Sequence, residues 1–485
     1  MPYNAISDES FFFIRIETLS KGPPITCEPG MDVVEMTRLM QEHDITGLVV
    51  VEGGTPVGTF SIRDVRKLIA DTGGAIAGRK VRDAMRPGLI TVRRQDHVFD
   101  AVFKMARNNI HRLGVVDEEG KLVGVVTDTD LLKIQTRTPL YLHQEIEAAQ
   151  SVAQLRALGA RIIDAVKFAT RAGADIRSIV QLISQFNDAI TQRLIAVIGR
   201  TEGIRLPEGA AFLALGSEGR GEQTLRTDQD NAIVYRDGLP PEKLLEIERF
   251  SSRLVEALAE IGVPRCPGNV MASNPEWRHS VSEWKRLIDQ WIAVPTPDHM
   301  LGFGMCQDLR VIHGDHSLEK ELHDHILAGA AHNLVFLHNI ARNVCYFTPP
   351  LGMFGRIKIE RSGENKGKVD IKNGGLFALT AGTSLLALEA GIVGGTTWDK
   401  LELLGQRELL APREVEMVRE SYTFLVQLRL QQQMRALAAG NKLSNFVDPQ
   451  LMTDRERDQF QEAFKGARSF LLIIRDHFQL DLVSH

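Results

Sequence analysis

Two short segments near the middle of the chain contain residue types suited to phosphate and metal chemistry. Gly216-Ser217 ends one apolar run, and Asp228-x-Asp230 opens another. A Gly-Ser turn lets backbone N–H groups and a hydroxyl approach phosphate oxygens closely. Residues two apart on a strand face the same side, so Asp228 and Asp230 are predicted to project together. Paired carboxylates suit Mg²⁺ or Mn²⁺, which take oxygen ligands and keep substrate phosphates among them.

The two segments together predict a site for nucleotidyl transfer, in which a metal ion holds the phosphates of an NTP while an acceptor hydroxyl attacks the α-phosphorus. Arg220 and Glu222 flank the turn. Arg220 either neutralises triphosphate charge or pairs with Glu222 and orders the loop. A second Asp-x-Asp, at residues 128–130, neither follows a strand–Gly-Ser–Arg element nor opens an apolar strand. The alternative for the central pair is a glycine-rich turn with solvated acids.

An internal repeat organises the first 135 residues. Val57–Asp64 recurs as Val123–Asp130, and Ile25-Thr26 recurs as residues 90–91. Each copy places a helical pattern, an apolar strand, a glycine-containing hairpin turn, a second strand and a closing helix in the same order. Units of this size cannot bury a face alone, so the two copies are expected to pack on each other.

Both copies end in the same polar pattern, Ser61-x-x-Asp64 and Thr127-x-x-Asp130. A carboxylate can hold two vicinal ribose hydroxyls, and a Ser or Thr hydroxyl at a helix N-terminus can contact phosphate. Helix capping is the alternative, because Ser, Thr and Asp are favoured N-cap residues. Recurrence of the pattern in both copies favours nucleotide binding.

Composition excludes several classes of protein. Of 485 residues, 44% are hydrophobic and 25% are charged, which is typical of a globular protein with several domains. The net charge of −5 gives no electrostatic footprint for nucleic acid, so a nucleic-acid partner is not expected. The N-terminus lacks a basic signal region, and no apolar run is long enough to cross a membrane. The four cysteines lack metal-ligand spacing, which favours a reducing, cytoplasmic location.

The patterns predict an α+β multidomain protein. We expect a tandem repeat over residues 1–135, a helical connector over 136–203, a small mixed-sheet domain over 204–317 and a helical C-terminal domain over 318–485. In the mixed-sheet domain, residues 264–272 are predicted to form a strand. Trp277, Trp284 and Trp291 recur every seven residues, which predicts one helix face packed in the core.

The repeat, the hairpins and the Gly-x-x-[Ser/Thr]-x-x-Asp endings resemble a CBS-domain pair over about residues 10–135. This resemblance implies a regulatory site for an adenine nucleotide and association into a homodimer through the pair. The residues implicated in the regulatory site are Ser61, Asp64, Thr127, Asp130, His111 and Arg112. For His111 and Arg112, which enter the second repeat's strand, exposed strand-edge positions are the alternative.

The Gly-Ser-x-Gly-Arg-Gly-Glu segment with its Asp-x-Asp resembles the polymerase-β-like nucleotidyltransferases, and most closely the N-terminal domain of PII-protein uridylyltransferase. The whole arrangement is similar to a bacterial family of signal-transduction nucleotidyltransferases with CBS pairs. Shared segments are Val270–Trp277, Asp308–Arg310 and Asp370–Lys372. The resemblance implies transfer of NMP from an NTP to an acceptor such as a signalling protein. The nucleotide-binding residues implied are Gly216, Ser217, Arg220, Glu222 and Lys372.

The superfamily pattern also implies a third catalytic carboxylate beside Asp228 and Asp230, which are the metal ligands. The strand predicted over residues 264–272 has no acid, so Asp308 is the candidate. The alternative is a structural Asp308–Arg310 pair. A site without a third acid would favour a rival function, a non-catalytic nucleotide-binding regulator.

Overall fold

The computed structural model describes residues 15–18, 24–43, 45–108, 110, 112–127, 130–131, 139–171, 173–225, 228–352, 356–440 and 443–481. The chain divides into two compact units, Met1–Leu142 and His143–His485. No helix in the described ranges combines the length and the apolar character needed to span a membrane.

The first repeat of the small unit forms a mixed sheet. Its elements are β1 (Thr26–Cys27), α1 (Val33–Glu42), β2 (Gly47–Glu52), β3 (Thr55–Ser61), α2 (Ile62–Thr72) and β4 (Arg86–Pro87). The strand order is β1-β2-β3-β4, with β1 parallel to β2 and the other pairs antiparallel. The hairpin between β2 and β3 turns at Gly53 and Gly54, whose φ angles of 57° and 84° favour glycine.

The second repeat of the small unit follows the same plan. Its elements are β5 (Thr91–Arg93), α3 (Val98–Asn108), β6 (Arg112–Val116) and β7 (Leu122–Thr127). The strand order is β5-β6-β7, with β5 parallel to β6 and β6 antiparallel to β7. Each repeat has its own cluster of buried apolar side chains. The predicted β-α-β-β repeat is therefore confirmed.

The large unit begins with helices in the region predicted as a connector. These are α4 (Pro139–Ala148), α5 (Val152–Arg171) and α6 (Ile176–Thr201). Asp175 begins α6 by accepting a hydrogen bond from the Ser178 amide at 3.0 Å. The helical spacing of Ile179, Ile183 and Phe186 turns these side chains into the core.

A four-stranded sheet follows the connector helices. Its region contains β8 (Ala210–Ala214), α7 (Gly216–Gly219), β9 (Asn231–Tyr235), α8 (Pro241–Glu260), β10 (Arg278–Ser280), α9 (Val281–Ala293), α10 (Pro297–Cys306) and β11 (Arg310–Gly314). The order is β10-β9-β8-β11, with β9 parallel to β10 and β8 antiparallel to both of its neighbours.

The strand predicted over residues 264–272 is wrong. This segment is irregular, because two prolines and Gly268 interrupt it and Asn269 adopts a positive φ of 55°. It still lies along the start of β9, since the Val270 carbonyl accepts a hydrogen bond from the Asn231 amide at 3.2 Å. The edge of the sheet is taken by β10 instead, and Trp277 lies in a 3₁₀ turn ahead of α9 rather than on it.

The remaining elements of the large unit are mostly helical. They are α11 (Ser317–Ala330), α12 (Leu334–Tyr346), β12 (Val369–Asp370), a π-helical turn (Lys372–Leu376), α13 (Phe377–Glu389), α14 (Thr397–Gln406), α15 (Pro412–Ala438), β13 (Phe446–Val447) and α16 (Asp454–His477). One continuous core includes Leu213 of the sheet, Trp284 of α9 and Phe470 of α16. The sheet and the C-terminal helices are therefore packed as one body.

Candidate active site

The Gly-Ser turn lies at the end of β8, and its first residue is closely surrounded. Gly216 has a φ of 53°, which disfavours any side chain. A Cβ there would lie 3.0 Å from Met305 Cε and 3.7 Å from Asp230 Oδ2. Glycine thus brings the turn beside the Asp-x-Asp segment.

The second glycine of the turn makes a backbone contact. A Cβ at Gly219 would overlap the carbonyl oxygen of Asp308, at the start of β11. Because both partners are backbone atoms, neither can move aside cheaply. Short α7 is consequently fixed against the edge strand β11.

Asp228 and Asp230 lie directly before β9 and differ in exposure. Asp228 is exposed, and within the described residues no hydrogen bond or ion pair engages its carboxylate. Asp230 is half-buried, and burial raises its pKa. The Cys266 thiol, which hydrogen-bonds to the carboxylate, and nearby Lys372 oppose this rise, while Asp228 adds to it. The two acids are therefore close enough to interact.

This pair has the chemistry expected for a hard cation. One carboxylate is open to solvent and the other is held by a single thiol donor, so oxygen atoms remain for a metal. Over the described ranges, no group of three His, Cys, Asp or Glu side chains is arranged to hold a metal ion. The residues fit a Mg²⁺ that completes its coordination with water and substrate phosphates, not one enclosed by protein ligands.

Two cations from the C-terminal region interact electrostatically with this pair. Lys372 begins the π-helical turn and lowers the pKa of Asp230. Arg429 lies on α15, where burial lowers the pKa of its guanidinium while Tyr422, Asp228 and Asp370 raise it. Sequence reasoning included Lys372 but missed Arg429, which no local motif marks.

Asp308 does not join the Asp-x-Asp pair, so its prediction as a third catalytic carboxylate is corrected. It is 1% exposed, and its Oδ1 accepts from Lys400 Nζ at 2.6 Å. Ser384 Oγ donates to its Oδ2 at 3.3 Å, and the Gly394 amide donates to Oδ1 at 3.3 Å. Burial would raise its pKa, but Lys400 and Arg220 lower it overall. A carboxylate neutralised in this way has a structural role.

The proposed alternative, an Asp308–Arg310 pair, is also wrong. Arg310 forms two hydrogen bonds with Asp188 of α6, at 2.7 and 3.1 Å. It also donates to the backbone carbonyls of Glu218 and Gly219, at 3.1 and 3.2 Å. Arg310 therefore stabilises the turn through its backbone carbonyls.

Arg220 and Glu222 order the loop, which is the second of the two alternatives for Arg220. Arg220 Nε donates to Glu222 Oε2 at 2.8 Å, and its Nη1 lies 3.6 Å from Asp308 Oδ2. Burial alone would lower the pKa of Arg220, but these two carboxylates raise it overall. Glu222 is 5% exposed and also accepts from the Thr397 amide, so it does not line the open site as predicted.

Glu218 is an acid beside the site that sequence reasoning passed over. Burial raises the pKa of its carboxyl to about 8, with further contributions from Asp188 and Asp230. Arg310 and the Asp230 backbone amide oppose the rise. Its position inside the Gly-Ser-Glu-Gly motif was the available signal. It is not arranged with Asp228 and Asp230 as a third metal ligand.

In the small unit, the predicted nucleotide-binding acids accept hydrogen bonds from the Ser or Thr three residues earlier, in the manner of a helix cap. Asp64 Oδ2 accepts from the Ser61 amide at 2.9 Å and from Ser61 Oγ at 2.5 Å, and Arg86 Nε donates to Oδ1 at 2.8 Å. Asp130 Oδ2 accepts from the Thr127 amide at 3.1 Å and from Thr127 Oγ1 at 2.6 Å. Both acids therefore form the hydrogen bonds expected from the helix-capping alternative.

Arg112 lies at the junction of the two repeats. Its Nη2 donates to Thr46 Oγ1 of the first repeat at 2.9 Å. A Cβ at Gly47 would overlap the guanidinium, so this glycine makes room for it. Arg112 is thus not a bare strand-edge residue. His111 lies outside the described residues.

Three family models match the chain. The model described as "Putative nucleotidyltransferase DUF294" matches residues 160–298, and "Putative nucleotidyltransferase substrate binding domain" matches residues 335–478. The CBS domain model matches twice, over residues 16–71 and 81–137. Together the matches leave only short parts of the chain unassigned.

Curated relatives match part of the chain. The uncharacterized protein MJ1232 of Methanocaldococcus jannaschii is 35% identical over 109 residues, which are 22% of this chain and 35% of that protein. The uncharacterized protein MK0525 of Methanopyrus kandleri is 30% identical over 138 residues, 28% of this chain and 70% of that protein. Inosine-5′-monophosphate dehydrogenase of Korarchaeum cryptofilum is 40% identical over 117 residues, which are 24% of this chain and 23% of that protein. The chain therefore spans about a third of MJ1232 and under a quarter of the dehydrogenase.

Similar solved structures cover a quarter of the chain. The CBS domain pair of protein MJ0100, in complex with 5′-methylthioadenosine and S-adenosyl-L-methionine, is 26% identical with a TM-score of 0.23, covering 25% of this chain and 99% of that one. CBSX2 in complex with AMP is 27% identical with a TM-score of 0.22, and the match covers 25% of this chain and 96% of that one. From the order of the three family models along the sequence, the chain belongs to a family in which a CBS-domain pair precedes a nucleotidyltransferase-type domain and its substrate-binding C-terminal domain.

Proposed function

We propose that this protein is a Mg²⁺-dependent nucleotidyltransferase that moves an NMP group from an NTP to an acceptor hydroxyl. The observation that carries the proposal is the open carboxylate of Asp228 beside Asp230, with the Gly216 turn packed beside Asp230. A phosphate-binding turn and free oxygen ligands at one place are what in-line transfer needs.

Different residues bind the metal ion and the triphosphate. Asp228 and Asp230 hold the metal ion, and Gly216 and Ser217 hold the triphosphate. Magnesium bound there would neutralise phosphate charge during the transfer. The acceptor hydroxyl gives up its proton to solvent, its oxygen forms a bond to the α-phosphorus, and pyrophosphate leaves with the electrons of the broken phosphoanhydride bond. The acceptor proposed is a signalling protein, and the base proposed is uracil or adenine.

The CBS pair is proposed to regulate this activity by binding an adenine nucleotide. Ser61, Asp64, Thr127 and Asp130 already form polar ends of two helices, and ribose hydroxyls would replace part of their internal hydrogen bonds. Regulation requires that the nucleotide bind the active and inactive states with different affinity. Association of two chains through the pair stays a prediction.

A non-catalytic nucleotide-binding regulator is the second candidate. It is favoured by the position of Asp308, because the negative charge of this residue is paired with Lys400 and not with a metal ion. Among the described residues, nothing else provides a third carboxylate at the pair.

One labelling experiment separates the two candidates. Full-length protein is incubated with Mg²⁺, a cell lysate and each α-³²P-labelled NTP, beside the Asp228→Asn/Asp230→Asn variant. Asp458→Asn, which removes an exposed carboxylate on α16, is the matched control. Transfer predicts label on a macromolecule with wild type and control only. Label that is absent throughout, although the NTP binds in an Asp230-dependent manner, supports the regulator.

A further inference from the structure

Arg429 is a cation in a part of the site to which no motif assigns a role. It lies on α15, about 200 residues after the Asp-x-Asp pair in the chain, yet it interacts electrostatically with Asp228 and Asp370. We propose that Arg429, with Lys372, forms a clamp that binds the polyphosphate of the NTP and that Asn445 positions this clamp. The inference deepens the proposed function and rests on it.

The guanidinium of Arg429 is only partly satisfied by the protein. Its Nε donates to Asn445 Oδ1 at 3.0 Å. Within the described residues, no other hydrogen bond or ion pair involves it. Arginine has five N–H donors, and a charge removed from water is costly unless it is paired. Arg429 is half-buried, so an anionic partner would offset part of the cost of removing its charge from water.

Lys372 is presented by a turn of unusual geometry. Asp370 Oδ1 accepts from the Lys372 amide at 2.9 Å and from the Asn373 amide at 3.2 Å. The π-helical turn that follows contains Gly375, where a Cβ would lie only 2.6 Å from Leu425 Cδ1. Single π turns of this kind occur frequently at functional sites. The turn is therefore packed tightly on α15.

Leu425 and Arg429 lie four residues apart on α15 and so share one helix face. The π-helical turn that presents Lys372 packs on this face, through the contact of Gly375 with Leu425. The backbone segments that present the two cations are consequently packed against each other. Their spacing cannot change without repacking α15.

Asn445 joins the two halves of this surface. Its backbone carbonyl accepts from the Ile371 amide at 3.1 Å, next to Lys372, and its side chain accepts from Arg429. The pairing of β12 with β13 continues the link, with Asp370 opposite Phe446. One residue therefore links the segment that begins with Lys372 to the Arg429 side chain.

The charge arrangement suits a polyphosphate. Neither Lys372 nor Arg429 forms an ion pair in the described part of the chain, so both charges remain for a ligand. The planar fork of arginine binds phosphate oxygens in pairs, and lysine adds a point charge. Phosphates held between these cations and a metal on Asp228 and Asp230 would be contacted from both sides. A nucleoside, which has no phosphate, would gain nothing from the clamp.

The test measures nucleotide binding to the full-length protein by equilibrium dialysis with Mg²⁺ and saturating AMP, which fills the adenine-nucleotide site proposed on the CBS pair. The probes are UTP, ATP and their nucleosides. Arg429→Ala is expected to weaken NTP binding about 10- to 100-fold and nucleoside binding by less than about 2-fold. Arg435→Ala, an exposed arginine on the same helix, is the matched control and should bind normally.

A second variant separates positioning from folding. Asn445→Asp keeps the acceptor for Arg429 but adds a negative charge that neutralises it. NTP binding should fall about 10-fold, as for a charged hydrogen bond, while the melting temperature stays unchanged. A purely structural role for Asn445 predicts normal NTP affinity in this variant, and that result would overturn the clamp.

The remaining outcomes are equally decisive. If NTP binding depends on Asp228 and Asp230 but not on Arg429, the clamp is wrong and the proposed function stands. Equal loss of NTP and nucleoside binding in Arg429→Ala also contradicts the clamp, because the loss would not follow phosphate charge. If NTP binding is insensitive to Asp228→Asn/Asp230→Asn, the proposed function and the clamp both fall.

Discussion

Two groups of charged residues in the large unit lie close to the same turn and are used in opposite ways. The buried cluster consists of Arg220, Glu222, Asp308 and Lys400. The open cluster consists of Asp228, Asp230, Lys372 and Arg429. In the buried cluster every charge meets an opposite charge of the protein at short range. In the open cluster no such pair forms within the described residues.

The difference shows that residue type does not decide the role of a charge in this protein. Asp308 and Asp228 are both carboxylates near the Gly-Ser turn, but Lys400 neutralises the first, whereas no described residue forms an ion pair with the second. The buried cluster fixes the backbone that carries the turn. The open cluster keeps unpaired charge for a ligand. Substitutions in the first should therefore reduce stability, and substitutions in the second should reduce binding.

The largest effect on stability is expected from Lys400→Met. It leaves Asp308 buried without its nearest cation, so the free energy of unfolding should fall by about 3–5 kcal/mol. Urea unfolding measures this change. Lys320→Met, which breaks an exposed pair with Asp324, is the control and should cost at most about 1 kcal/mol. Equal effects of the two variants would erase the distinction between the buried pair and an ordinary surface pair.

A smaller loss is expected from Gly219→Ala. The new methyl group would overlap the Asp308 carbonyl oxygen, and displacing the turn should cost about 1–3 kcal/mol. The same substitution at Gly159, inside α5 with open space around it, should instead stabilise by about 1 kcal/mol. Thermal unfolding of both variants checks the opposite signs. Stabilisation at both positions would show that the turn is not held against β11.

Asp230→Asn should change stability least among the substitutions at the site. It removes a half-buried charge that has a like charge beside it, so the free energy of unfolding should stay within about 1 kcal/mol of wild type, on the higher side. NTP binding in the same sample should be lost. A destabilisation comparable to that of Lys400→Met would mean that the open cluster is also structural.

The smallest effect is a pH dependence at His477, which belongs to neither cluster. Its hydrogen bond to Glu389, 2.7 Å long, raises the pKa of the imidazole against a lowering by burial. This stabilisation is full below the unfolded pKa of about 6.5 and is lost as pH rises through the higher folded value. At a largely solvent-screened site it should be at most about 0.5 kcal/mol. Unfolding of wild type and His477→Gln at pH 6 and pH 9 should differ only at pH 6.

The parts that the sequence predicts well are those set by neighbouring residues. The β-α-β-β repeat depends on alternation, hairpin glycines and helix caps, all local, and it appears at the expected positions. The closeness of Gly216 to Asp230 follows from the antiparallel pairing of β8 with β9, which places the end of β8 beside the start of β9.

The parts that escaped prediction depend on distant partners. Asp308 is neutralised by Lys400, which lies 92 residues later on α14. Arg429 and Asn445 sit in ordinary-looking helical and loop sequence, and only packing of the π-helical turn on α15 brings them to the site. For the same reason the edge strand of the sheet was misplaced, because the choice of β10 depends on tertiary pairing.

The link through Asn445 has a consequence for synthesis of the chain. Asp228 and Asp230 are translated about 200 residues before Arg429, which at ordinary rates is a delay of roughly 10–40 s. During that time the nascent chain has the acids and the glycine turn but neither Arg429 nor the residue that fixes it. With the proposed clamp, a ribosome-bound or prematurely terminated product lacks part of the polyphosphate contacts, so full affinity for NTP would be reached only when the last sixth of the protein has folded.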